Sequence, residues 1–190
     1  MTPFEYVIVL ISIILGLGIT FVLSGIVELI RRWNSVQHFW PYLIWIALVF
    51  VLHIQEWWAT YELRTVTTWS LPLFLFVITY PILLFVLANL LFPAHWPDKG
   101  LDMKEFYFSN CNKFFMCVLF FALLSVMQNV IITGYQLRDQ IIQFIVFALF
   151  TVMLLRPTRN ISIHSALAVF MLVTMIVGLY LTKDLAEVSR

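Results

Sequence analysis

Charged residues are scarce in this chain. They make up 11% of its 190 residues, against about a quarter in water-soluble domains, and that deficit excludes a hydrated globule of ordinary composition. The charges nearly cancel, 11 basic against 10 acidic for a formal net charge of +1. No strong field is therefore available to recruit nucleic acid or a highly charged partner, and nucleic acid is not expected to bind. Cysteine is confined to Cys111 and Cys117. On a helix they stand about 240° apart around the axis and about 9 Å along it, which rules out a local bridge, so they read as buried thiols. There is no phosphate-binding glycine loop, no H-E-x-x-H, no C-x-x-C and no G-x-S-x-G, which removes the usual soluble catalytic constellations. No residue is assigned a catalytic role and no cofactor is identified.

What fills the sequence instead is apolar: 63% of it. A globule this small exposes much of what it contains, so water could not accommodate that composition, whereas a lipid bilayer can. Counting uncharged runs long enough to cross about 30 Å of hydrocarbon gives an all-α, polytopic integral membrane protein. A single transmembrane domain over 1–190 is expected, with helices at about 4–30, 39–61, 71–92, 106–132, 139–156 and 161–182 and short loops. The first run has no basic flank and no small-x-small site, so it is read as a retained span rather than a signal peptide. Pro81 falls inside the third run and should kink it. The fifth has only about 22 Å of strictly apolar helix at 1.5 Å per residue, so it must borrow from its flanks or sit behind its neighbours. Residues 104–113 could extend the fourth helix along the interface. The linker 156–160 is short enough to make the fifth and sixth helices an antiparallel pair of neighbours.

Lysine and arginine set the orientation. Six crossings put Arg31, Arg32, Lys99, Lys104, Lys113, Arg156 and Arg159 on one side and Arg64, Arg138, Lys183 and Arg190 on the other. Cytoplasmic loops carry the excess, so both termini are expected outside, in a bacterial inner membrane or its equivalent. Trp33, Trp40 and Trp96 then mark inner helix ends, and Trp57, Trp58, Trp69 and Tyr180 outer ones.

Polar residues at membrane depth are where any activity must sit. In the first helix Ser12, Gly16, Thr20 and Ser24 recur every four residues and Glu28 continues the row. Such small-xxx-small rows let backbones approach closely. This one reads as a packing seam within the chain, a homo-oligomer seam or a pore-facing stripe. In the second helix His53 and Glu56 lie three apart on one face, and Glu56 is the first residue to test. The topology brings Glu5, His53, Glu56, Gln128, Asn129 and Gln143 toward the outer half, where they would line a candidate outer cavity for a small substrate, an ion or a lipid headgroup if they converge. At the inner end Glu28, Asn89, Asn110, Asn112, Lys113 and Arg156 could form a second layer, with Glu28 paired to Lys113 or Arg156. His38, His95 and His164 fall at the same face. Their spacing does not suit a metal centre, which needs three or four converging ligands, and His53 has no partner at its own depth for haem ligation. Asn160-Ile161-Ser162 matches a glycosylation sequon, discounted because it falls on the cytoplasmic side beside the bilayer.

Three functions fit this pattern. The first is a small transporter or channel-like protein using the outer cavity. The second is a membrane-embedded binding or sensing subunit acting through a partner protein, with the small-residue row as its seam. The third is an intramembrane enzyme acting on lipid, quinone or a cofactor, with His53 and Glu56 as acid and base. The lipid bilayer is the one partner common to all three.

Overall fold

The structure, a computed structural model, describes residues 2–97 and 100–181. Lys99, Lys183 and Arg190, which entered the charge distribution, lie outside the described residues. The chain is an all-α bundle with six helices long and apolar enough to cross a membrane. They are α1 (Pro3–Arg31), α2 (Trp40–Ala59), α3 (Leu71–Asn89), α4 (Met103–Gln128), α5 (Ile141–Leu155) and α6 (Ile161–Leu181). Their outward faces remain apolar, with Ile13, Leu17, Phe120, Val173 and Ile176 all more than half exposed. Uncovered apolar surface on every helix is what contact with acyl chains requires. This is a multi-pass integral membrane protein.

Local chemistry explains several helix ends. Thr2 and Glu5 form a reciprocal capping box ahead of Pro3 at the start of α1. Ser70 caps α3, and the Asp102 carboxylate accepts from the Lys104 and Glu105 amides to start α4. Residues 104–113 are thus the first turns of α4 itself. α4 ends in a π-helical turn, Asn129–Thr133, closed by Gly134 at φ 71°, a left-handed conformation that glycine adopts without a Cβ penalty. α5 gains length as expected: a 3-10 turn, Leu137–Gln140, runs into it and brings the helical stretch to 19 residues.

The helices pack as α1 on α2 and α3, α3 on α4, α4 on α5, and α2 on α3 and α6. The expected α5–α6 pairing does not form as a packed interface. α6 lies against α2 instead, and the linker 156–160 that precedes it is irregular. Pro157 disfavours a helical conformation at Arg156, and the Thr158 carbonyl accepts from His164.

Toward the end away from the described termini, α2, α4, α5 and α6 meet around an aromatic cluster. Trp45, Phe114, Phe115 and Phe150 meet edge to face at centroid distances of 5.1–6.2 Å. His164 stacks on Phe115 at 5.8 Å. Its Nε2–H donates to the Thr158 carbonyl (2.8 Å), which leaves Nδ1 to accept from the Tyr107 hydroxyl (2.7 Å) in the neutral ring. Hydrophobicity does not foreshadow a two-residue parallel bridge at this end, β1 (Val36–Gln37) with β2 (Leu101–Asp102). Gly100, at φ 91°, passes so close to the Ser35 carbonyl that no side chain would fit.

Candidate functional site

At the opposite end, where the described chain starts and stops, a cavity of about 380 Å³ opens among α2, α3, α4 and α5. Glu56 faces it about 24 Å along α2 at 1.5 Å per residue, and Glu62 comes from the 3-10 turn Thr60–Thr65 that follows. Tyr80 contributes from α3, Ser125 and Gln128 from α4, and Gln143 from α5. Neither carboxylate makes a salt bridge among the described residues, and none of the described residues lining the cavity is basic.

Two departures from regular helix shape this wall. Pro81 lacks the amide that would bond the Val77 carbonyl, and the Gln128 side chain supplies a donor to it across the α3–α4 interface at 3.4 Å. The π-helical turn at the end of α4 carries Asn129, whose side-chain amide donates to Gln140 Oε1 at 3.2 Å. π-helical turns recur at functional sites because they re-aim side chains that a regular helix would hold elsewhere.

A second cavity, about 180 Å³, lies deeper and is lined almost wholly by apolar groups, among them Trp45, Leu48 and Val118. Val146 of α5 and Met171 and Met175 of α6 close its far side. It occupies the crevice left because α5 packs on α4 while α6 packs on α2. Leu52, Gln55, Phe121, Ser125 and Gln143 line both cavities, so the polar and apolar spaces share one wall.

Of the six residues expected to converge, Glu56, Gln128, Asn129 and Gln143 line the polar cavity. Glu5 and His53 do not. Glu5 belongs to the α1 cap, and His53 is fully buried against α1, its Nδ1 donating to the Val49 carbonyl at 2.7 Å. Three residues along a helix rotate the side chain by about 60° from its predecessor, enough in this bundle to aim His53 and Glu56 at different neighbours. Among the described residues His53 Nε2 has no hydrogen-bond partner, and it abuts Gly18, where a Cβ would collide with the ring. An acid–base pair of His53 with Glu56 is therefore not assembled here.

The small-residue row does not pack within the chain. Gly16, Thr20 and Ser24 are exposed, Ser12 and Glu28 half-buried, and a Cβ on Gly16 would meet nothing within 4 Å. The buried face of α1 is Val7, Ile11, Leu15, Gly18, Val22, Gly25 and Leu29, stepping in fours and threes. Gly18 takes the His53 ring and Gly25 the Phe92 ring. Thr20 satisfies its hydroxyl on the Gly16 carbonyl at 2.8 Å, so it needs no second helix. The expected inner layer is likewise absent. Glu28 pairs with Arg32 (2.5 Å) and Arg31 (3.7 Å), its own helix neighbours, rather than with Lys113 or Arg156. Asn89 and Asn110 donate to carbonyls one turn back. His38 lies against the Trp33 ring at a tilt, and His164 is spent in the core. No cluster of three His, Cys, Asp or Glu suited to a metal occurs among the described residues.

Glu62, Tyr80 and Ser125 were not singled out by sequence. Tyr80 and Ser125 look like ordinary span residues, but Pro81 flags an orphaned carbonyl at Val77 and thus a wall of α3 that needs a polar partner. No protein family, curated protein or solved structure matches this chain.

Proposed function

We propose that the protein is a small carrier whose loading site is the polar cavity bounded by Glu56, Glu62, Tyr80 and Gln128. The observation that carries this reading is a space of ligand size, walled by four helices, with two carboxylates lacking any salt bridge among the described residues. A channel is less well supported, since the aromatic cluster of Trp45, Phe114, Phe115 and Phe150 forms a floor beneath the apolar cavity. The interrupted backbone at Pro81 and at Asn129–Thr133 lies in the cavity wall and gives it places to flex. The same reading faces the cavity outward in a bacterial inner membrane. Arg31, Arg32, Lys104, Lys113, Arg156 and Arg159 gather toward the opposite end, against Arg64 and Arg138 at the cavity end.

Cysteine accessibility tests the proposal. In a Cys111→Ala, Cys117→Ala background, Ser125→Cys should react with a membrane-impermeant thiol reagent added from either face, by turns, as the carrier alternates. Reaction only from the cavity side would reduce the protein to a binding subunit, and protection from both sides would remove the cavity reading altogether.

A further inference from the structure

We infer that the ligand is an amphiphile with a cationic, amine-type headgroup, held between Glu56 and Glu62 with its chain in the apolar cavity between α5 and α6. This rests on the polar cavity being a ligand site, and adds what that ligand is. Three observations converge on it. The first is order in depth. The polar space lies at the helix ends, around Glu56, Thr60 and Tyr135, and the apolar one toward the middle of the helices, around Trp45, Val118 and Met171. A lipid in the adjoining leaflet has its head and tail arranged in the same sequence, so it could pass sideways into the bundle without inverting.

The second is continuity. The shared wall of Leu52, Gln55, Phe121, Ser125 and Gln143 joins the two spaces, so one molecule can occupy both. The unpacked crevice between α5 and α6 gives a chain a way in from the bilayer. Met171 and Met175 border it, and unbranched thioethers adapt to a flexible chain better than branched side chains do.

The third is charge. Two carboxylates with no basic residue among the described lining repel a phosphate or sulfate head and attract an ammonium. Tyr80, Tyr135 and Phe121 line the same space, and aromatic rings are the side chains that bind alkylated ammonium groups. The tight capping of Glu5 and the Arg pairing of Glu28 show what this chain does with carboxylates that serve structure. Among the described residues Glu56 and Glu62 have neither arrangement.

The test uses a long-chain alkyltrimethylammonium brominated at the chain end, with the protein in phosphatidylcholine nanodiscs. Bromine quenches tryptophan on contact, and Trp45 lines the apolar cavity. Wild type should show saturable quenching that is absent in Trp45→Phe, and Glu56→Gln should weaken the apparent affinity about tenfold. A brominated alkyl sulfate of equal length should show only unsaturable quenching from partitioning. Equal, unsaturable quenching by both probes, or saturable quenching by the sulfate, overturns the inference. Competition by tetramethylammonium from water at the same potency as the long-chain probe also overturns it, since the chain would then contribute nothing. In that case Ser125→Cys accessibility still decides the cavity reading independently. Glu62→Gln provides a second charge variant should Glu56→Gln fail to fold.

Discussion

Carboxylates near the two ends of the bundle are held differently. Toward the aromatic cluster Glu28 is paired with arginine and Arg159 meets Glu105 through two contacts of 3.2 Å, while His164 bonds through both ring nitrogens. At the hollow end Glu56 and Glu62 have no salt bridge among the described residues, and buried Gln140 leaves its Nε2 unmatched. Buried polar groups are nearly always satisfied in folded chains. Two carboxylates that face a cavity without a salt bridge among the described residues mark where stability has given way to another demand, as binding sites commonly do.

Substitutions should separate the two ends by size of effect. Phe150→Ala, which opens a void in the aromatic cluster, is expected to cost about 3–5 kcal/mol, read as a loss of stability in detergent unfolding. Gly25→Leu should follow at about 1–3 kcal/mol by forcing Phe92 out of place. Gln128→Leu should cost about 1 kcal/mol by stranding the Val77 carbonyl beneath Pro81. Glu56→Gln should leave the unfolding midpoint equal to or above that of wild type while impairing ligand binding. A large destabilisation there would make Glu56 a structural residue and erase the contrast. Gly16→Leu should be smallest, within about 0.5 kcal/mol, because nothing lies within 4 Å of the added carbon.

Hydropathy located the spans because crossing a bilayer is a local demand, met by each run on its own. Depth was legible for the same reason, and it brought Glu56, Gln128, Asn129 and Gln143 to one level. Azimuth was not, since it depends on which helices surround a given one. His53 and Glu56 share a level and a stretch of α2 yet serve different contacts. The α1 row illustrates the same limit: Gly16 and Gly18 are equally small, but only Gly18 faces a neighbour. The packing of α6 on α2 was hidden likewise, because which helices meet depends on the whole bundle rather than on the apolar pattern of either one.

The short β1–β2 bridge has a mechanical consequence. It ties the α1–α2 loop to the segment leading into α4, and the Arg32 contact with the Pro97 carbonyl and the Tyr42 contact with Leu91 add two more ties between the same regions. Three contacts thus join the α1–α2 connection to the α3–α4 connection at the end of the bundle opposite Glu56 and Glu62. Any splaying of α2 from α3 would be restrained most at that end, so displacement would grow with distance from it.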